Sequence, residues 1–308
     1  GDVNGDGYDD LIVGAPAEDP TGEDPGHAYV YHGSASGLSG FAAWTAVGED
    51  QAGAGFGFSV ASAGDVNHDG YDDVIVGANL HDTTYSNAGR AFVYLGSATG
   101  LQSNAVWAES GATQTNAGFG WSVAGAGDVN GDSYDDLIIG SPGWGGTGRV
   151  YLFNGQASGP ATTYDWYYSG TNQSGARFGE AVAGAGDVNG DGYDDLLVGA
   201  PMDPTAGVAA GRAFLYRGSS FGPQTPPDWA ASGDDQEGAG FGRSLASAGD
   251  INKDGAADFI VGAYWFDTTG ASNAGQAYAY LGVKDQPGLC EPPGAACDDG
   301  DLCTVNDR

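Results

Sequence analysis

Short apolar runs recur along this chain at wide, regular intervals: Leu11-Ile12-Val13, Val74-Ile75-Val76, Leu137-Ile138-Ile139, Leu196-Leu197-Val198 and Phe259-Ile260-Val261. Each ends in Gly-Ala-Pro or a near variant, at Gly14-Ala15-Pro16, Gly77-Ala78-Asn79, Gly140-Ser141-Pro142, Gly199-Ala200-Pro201 and Gly262-Ala263-Tyr264. Such runs are too short for helices and suit strands covered on both faces. An alternating segment follows, as in Arg90-Ala-Phe-Val-Tyr-Leu95 or Gln276-Ala-Tyr-Ala-Tyr-Leu281, with the pattern of a half-covered strand. A tryptophan comes next at Trp44, Trp107, Trp166 and Trp229, and Phe-Gly pairs stand before the later runs at Phe56-Gly57, Phe119-Gly120, Phe178-Gly179 and Phe241-Gly242. No stretch offers an amphipathic helix with caps. The pattern predicts an all-β chain with four strands per repeat. The first unit lacks its Phe-Gly strand and the fifth its Trp-bearing strand, which leaves an open blade edge for closure by a missing N-terminal segment or for head-to-tail assembly.

An acidic nonapeptide precedes every apolar run, beginning at Asp2, Asp65, Asp128, Asp187 and Asp250, so the starts lie 63, 63, 59 and 63 residues apart. Self-similarity at one period means one supersecondary unit copied and stacked. Small sheets with both faces covered must stack on their own kind, and radial stacking into a β-propeller of four-stranded blades achieves this while protecting edges. A linear β-solenoid is the alternative, although its coils are usually shorter.

The nonapeptide carries oxygen donors at alternate positions. Positions 1, 3 and 5 are Asp2, Asn4 and Asp6; Asp65, Asn67 and Asp69; Asp128, Asn130 and Asp132; Asp187, Asn189 and Asp191; Asp250, Asn252 and Asp254. Position 7 would offer a backbone carbonyl, which leaves its side chain free to vary: Tyr8, Tyr71, Tyr134, Tyr193 and Ala256. Position 9 is always aspartate, at Asp10, Asp73, Asp136, Asp195 and Asp258, and would close the cage. Calcium takes about six to eight such oxygens, whereas zinc wants His or Cys and magnesium a stricter octahedron. A glycine at position 6 suits a sharp turn, but Ser133 replaces it in the third loop, and Ala256-Ala257 replaces Tyr-Asp in the fifth. Those two sites are expected to differ in affinity from the rest. The loops lack the terminal glutamate of an EF-hand, so the ion would sit between strands.

Phe-Gly, Asp-x-Asn-x-Asp-Gly-x-x-Asp and Gly-Ala-Pro, kept in that order from residue 1 to about 283, resemble FG-GAP repeats, the units of the integrin α-subunit β-propeller and of many bacterial extracellular proteins. The resemblance implies that each loop joins the first two strands of a blade and binds calcium through the residues named above, about five ions in all. It also implies that the ring often has seven blades, of which five loops are visible.

The formal charge of −32 makes a nucleic acid or an anionic membrane an unsuitable partner. Four loops hold four aspartates each and the fifth holds three, 19 of the 41 acidic residues, so the apo loops should repel one another. No apolar run reaches a membrane span. The chain starts in mid-repeat with no signal peptide, which is the expectation for a processed or partial segment of a longer secreted protein.

Beyond Lys284 the repeat stops. Cys290, Cys297 and Cys303 cluster with Pro287, Pro292 and Pro293, which points to an oxidising compartment and to the start of a small disulfide module over 284–308, with 1–283 as the propeller. Asn172-Gln-Ser174 is a glycosylation acceptor sequence. No catalytic constellation breaks the repeat: His68 falls at a variable loop position, His81 in a loop, and His27 and His32 flank a strand where surface or rim is the default. The chain therefore reads as a non-enzymatic, extracellular calcium-binding propeller, either a self-associating structural component of a surface or filament or a module recognising protein or glycan through rim loops. Tyr85, Trp144 and Trp265 are candidates for such contacts, against packing between blades as the plainer role.

Overall fold

The computed structural model describes residues 1–284 except 19–24, 49–50, 112, 171–172, 205–209, 234–235, 237 and 268–271. The three cysteines and Asn172 lie outside the described residues. Among the described residues eighteen strands form five antiparallel sheets, each in simple chain order. The first holds β1 (Leu11–Ala15), β2 (His27–Tyr31) and β3 (Trp44–Val47). The second holds β4 (Phe56–Gly64), β5 (Asp73–Ala78), β6 (Arg90–Tyr94) and β7 (Trp107–Glu109). The third holds β8 (Ser122–Gly127), β9 (Asp136–Ser141), β10 (Arg149–Phe153) and β11 (Trp166–Ser169). The fourth holds β12 (Ala181–Gly186), β13 (Asp195–Ala200), β14 (Arg212–Tyr216) and β15 (Trp229–Ser232). The fifth holds β16 (Phe241–Gly249), β17 (Asp258–Ala263) and β18 (Gln276–Tyr280). The three-stranded first and fifth sheets are the ones the sequence left incomplete. Among the described residues the helical content is one 3-10 turn at Trp144–Gly146, and no helix is long and apolar enough to cross a membrane.

The sheets are successive blades of a β-propeller. Their first strands β4, β8, β12 and β16 lie beside one another in order, as radial stacking requires. The apolar run decides which face meets which neighbour, because alternate residues of a strand point to opposite faces. Its middle residue faces the following blade and its outer two face the preceding one. Ile75 packs with Leu137 and Ile139, Ile138 with Leu196 and Val198, and Leu197 with Phe259 and Val261. Ile12 likewise packs against Val74 and Val76. Full cover on both faces therefore holds for the three middle blades. At the two ends the matching residues are open: Leu11 and Val13 are 44% and 40% exposed and Ile260 39%, whereas Ile75, Ile138 and Leu197 are fully buried.

Each Trp-bearing outer strand clasps the next blade. Trp44, Trp107, Trp166 and Trp229 meet Tyr94, Phe153, Tyr216 and Tyr280 edge to face, with ring centroids 4.8, 5.0, 5.5 and 4.7 Å apart. The indole N–H of Trp44 donates to Gln102 O and that of Trp107 to Ala161 O, so the polar end of the ring is satisfied across the seam. The Phe-Gly pair works from the inner side. Gly120 has φ of +80°, and a Cβ on it would strike the Arg90 carbonyl, while a Cβ on Gly77 would strike Gly120 itself. The two motif glycines thus mark a backbone-on-backbone contact between adjacent blades that a side chain would wedge apart.

The residue after each Phe-Gly pair varies, yet these residues touch in series. Phe58 packs on Trp121 at 5.0 Å, the Arg177 guanidinium lies 4.8 Å from the Trp121 ring, and Glu180 pairs with both Arg177 and Arg243. His27 corrects the sequence expectation. It is buried rather than at the surface: the start of β2 lies against the Gly57 backbone of the next blade, while Tyr29 and Tyr31, on the same strand face, remain half-covered. His81 is also buried, beside the Phe92 ring.

Candidate metal centres in the inter-strand loops

The nonapeptides join the first and second strands of their blades: residues 65–73 link β4 to β5, 128–136 link β8 to β9, 187–195 link β12 to β13 and 250–258 link β16 to β17. The first, over residues 2–10, leads into β1. A register shift at the end of each first strand, between Ser62 and Gly64 in the second blade and Ser247 and Gly249 in the fifth, throws the loop out of the sheet.

Within a loop the side chains at positions 1, 3 and 5 turn inward onto the loop backbone. In the second, the Asp69 N–H donates to Asp65 Oδ1 at 2.9 Å and the Gly70 N–H to Asp65 Oδ2 at 2.8 Å. The Tyr71 N–H donates to Asp69 Oδ1 at 3.1 Å, and Asn67 Nδ2 to Asp69 Oδ2 at 2.9 Å. The other four loops repeat this arrangement around Asp2, Asp128, Asp187 and Asp250.

Position 9 is set deeper. Asp73 is fully buried and accepts the Val66 N–H at 2.9 Å and the Gly96 N–H at 2.8 Å, tying the loop to the end of β6. Asp136 and Asp195 do the same with Val129 and Gly155, and with Val188 and Gly218. Asp10 and Asp258 make the equivalent pair of bonds. Burial pushes the Asp73 and Asp195 carboxyls up to about 7 and that of Asp136 up to about 8, and the carboxylates at positions 1 and 5 of the same loops push in the same direction.

These residues fit a hard dication in donor chemistry, since every donor is oxygen and the buried carboxylates face like charges with no counter-charge. Positions 1, 3 and 5 are turned onto backbone N–H groups, and among the described residues no group of three or more His, Cys, Asp or Glu side chains is gathered as a metal cluster.

The raised carboxyls carry a pH prediction. The folded chain holds protons that the unfolded chain releases above the usual carboxylate value of 3.8. This stabilising contribution is present at low pH and is lost as pH rises through about 8. In excess chelator the thermal midpoint should therefore fall between pH 5.5 and 8.5, and millimolar calcium should flatten that dependence. Scanning calorimetry in both buffers tests this; a midpoint that climbs with pH in chelator contradicts it.

Two loop positions have structural roles that cage-counting missed. Position 8 ties neighbouring loops together: Asp72 Oδ2 accepts the Asp2 N–H at 2.7 Å, Asp135 Oδ2 the Asp65 N–H at 2.8 Å, and Asp194 Oδ2 the Asp128 N–H at 3.0 Å. The fifth loop keeps the backbone bond from Ala257 to Asp187, but Ala257 has no carboxylate to supply the side-chain tie. Position 7 is also committed rather than free. Tyr71 and Tyr193 lie over Gly5 and Gly131 of the preceding loops, and Tyr134 meets His68 edge to face at 5.9 Å. The hint in the sequence was the recurrence of Tyr and Asp at positions 7 and 8 in four of the five loops.

Ser133 has φ of +72°, as its place in the glycine series predicted. Left-handed backbone costs a non-glycine residue roughly 1–2 kcal/mol, so Ser133→Gly should raise stability by about 1 kcal/mol in urea unfolding. Destabilisation by this substitution would show that the hydroxyl contributes more than the strain costs. Position 4 is left-handed too, at His68 and Lys253. Of the aromatic candidates, Trp144 and Trp265 are half-buried, Trp144 against the core between the second and third blades, and Tyr85 is 41% exposed.

A family model for the FG-GAP repeat matches residues 1–31, 56–94, 119–153, 178–216 and 241–280. The chain is 33% identical to integrin alpha-5 of Xenopus laevis over 233 residues, which is 72% of this chain and 21% of that protein. It is 32% identical to integrin alpha-V of Gallus gallus over 230 residues, covering 70% of this chain and 20% of that one. With integrin alpha-IIb of Mus musculus it shares 41% identity over 157 residues, 47% of this chain and 15% of the other. The chain thus spans about a fifth or less of the length of these relatives. Five in-phase matches, each running from the Phe-Gly strand or its loop to the third strand of a blade, place the chain in the FG-GAP repeat family, of the integrin-alpha-like kind.

Proposed function

We propose that the chain is a non-enzymatic, extracellular recognition module of the adhesion type, stiffened by about five calcium ions held at positions 1, 3, 5, 7 and 9 of its loops. The observation that carries this is the recurrence of one all-oxygen loop, with the same backbone N–H bonds to its position-9 carboxylate, in every blade of a chain whose relatives are integrin alpha subunits. A bound dication would supply the counter-charge that the buried position-9 carboxylates lack. The chain's own residues do the rest: position 9 braces the loop to the third strand, and position 8 passes that bracing to the adjacent loop. The argument against catalysis is chemical. The raised aspartates are spent as braces on backbone N–H groups, and His27 and His81 are packed inside blades.

Beads carrying the chain test the recognition reading. Adhesion to gelatin-coated or dextran-coated surfaces in millimolar calcium, lost in chelator, supports it. Background retention on both surfaces rejects it.

Self-association as a structural component is a second reading, favoured by the open faces at Leu11, Val13 and Ile260. Each is one half of a seam that the chain builds four times internally. Sedimentation at rising concentration should then show head-to-tail oligomers that Leu11→Asp abolishes; a monomer throughout rejects this reading.

A further inference from the structure

We propose that the crevice between the second and third blades is a binding site for a neutral saccharide. This deepens, and rests on, the recognition reading above. The crevice encloses about 510 Å³, within the range of small-molecule sites. Glu109 at the end of β7 lines one side. Trp144, Arg149 at the start of β10, and Thr162, Thr163 and Tyr164 ahead of β11 line the other.

The chemistry of this wall suits a sugar. A pyranose presents an apolar C–H face, which packs on an aromatic ring, and a rim of hydroxyls that both donate and accept. Tyr164 supplies the ring: it is 43% exposed, and its orientation is fixed by Tyr151 and Tyr167, each 5.4 Å away between centroids. Glu109 supplies an acceptor, Arg149 a donor, and the threonines serve as either. Arg149 is already oriented. Its guanidinium lies 3.2 Å from the Trp144 centroid and 4.3 Å from that of Tyr167, and its Nε donates to Ser169 Oγ at 2.9 Å. A donor held in place before binding loses little freedom on meeting a ligand. Neutrality follows from charge, since an anionic sugar would meet Glu109 and a protein of net charge −32.

The repeat itself shows that these side chains are surplus to the fold. Two residues before the blade tryptophan, where the third repeat has Tyr164, the others have Ala42, Ala105 and Pro227. Where it has Tyr167 they have Thr45, Ala108 and Ala230, and where it has Trp144 they have Glu18, His81, Asp203 and Phe266. Arginine recurs at the place of Arg149, as Arg90 and Arg212, and those stack over Phe92 and Phe214. An exposed tyrosine is not needed for packing where the scaffold elsewhere uses alanine or proline.

Saturation-transfer NMR on the intact chain in millimolar calcium tests the site, with maltose, cellobiose, lactose and diacetylchitobiose as probes and irradiation of the aromatic protons. Transfer to the ring C–H protons of at least one sugar is expected. Tyr164→Ala and Arg149→Gln should each cut it by about fivefold, the loss of one stacking or hydrogen-bonding contact. Both variants install residues that other repeats carry at the same places, Ala105 and Gln276, so the blade should fold. Phe221→Ala, at a ring 99% exposed elsewhere, should leave transfer unchanged. No transfer from any probe, transfer indifferent to both crevice variants, or an equal loss in Phe221→Ala overturns the proposal. If the beads still adhere to gelatin, such a result removes only the saccharide site; failed adhesion on both surfaces removes the recognition reading itself.

Discussion

Excess chelator is expected to lower the thermal midpoint of this chain more than any single substitution. A ligand that binds only the folded state adds about 2.7 kcal/mol per site at a hundredfold excess over its dissociation constant. Under the proposed calcium assignment the five loops are separate sites, so their contributions would accumulate. Removal of the ions also exposes the mutual repulsion of 19 loop aspartates in a chain of net charge −32. Because position 8 links consecutive loops, loosening one loop removes a hydrogen bond from the next, and the loss should spread along the array. Calorimetric scans in millimolar calcium, in millimolar magnesium and in chelator measure this. Midpoints that agree in calcium and chelator would defeat the calcium assignment, and equal rescue by magnesium would defeat its selectivity.

The second large effect belongs to the seams. Trp107→Ala should cost about 3–5 kcal/mol in urea unfolding, the usual range for removing a large buried ring. Trp107 is 4% exposed, packs edge-on against Phe153 and donates its indole N–H to Ala161 across the blade boundary. Truncation empties that space and leaves the Ala161 carbonyl without its donor. Trp166→Ala is the internal comparison. That ring is only half-buried, so its loss should cost clearly less. Equal costs at the two sites would mean that neither the deeper burial of Trp107 nor its cross-seam hydrogen bond adds to the clasp.

Most of this architecture was legible in the chain because it repeats. A three-residue apolar run is ambiguous alone, but its return in phase with Phe-Gly, Gly-Ala-Pro and tryptophan fixes strand order, strand number and the position of the loops. The run even encodes facing, since Ile75 meets the next blade and Val74 and Val76 the previous one. Three features were hidden, for physical reasons. Ligand spacing says which side chains could surround an ion but not which carboxylate the fold buries, so the depth of Asp73 and Asp136 emerged only with the strand ends that surround them. The inter-loop ties of Asp72, Asp135 and Asp194 join residues some seventy positions apart, beyond the reach of local pattern. The burial of His27 depends on what covers the start of β2, which two histidines flanking an alternating strand do not reveal.

The seams between blades have a polarity with a consequence for lineage. A blade whose leading face complements its own trailing face, and not itself, can be duplicated or deleted whole without creating any junction the core has not already solved. Blade number is then set neither by side-chain packing nor by the loops. It is free to drift by in-frame recombination between repeats, and selection can hold it only through ring closure or through a one-off feature such as the tyrosine-rich third repeat, which fixes the identity of one blade among otherwise interchangeable ones.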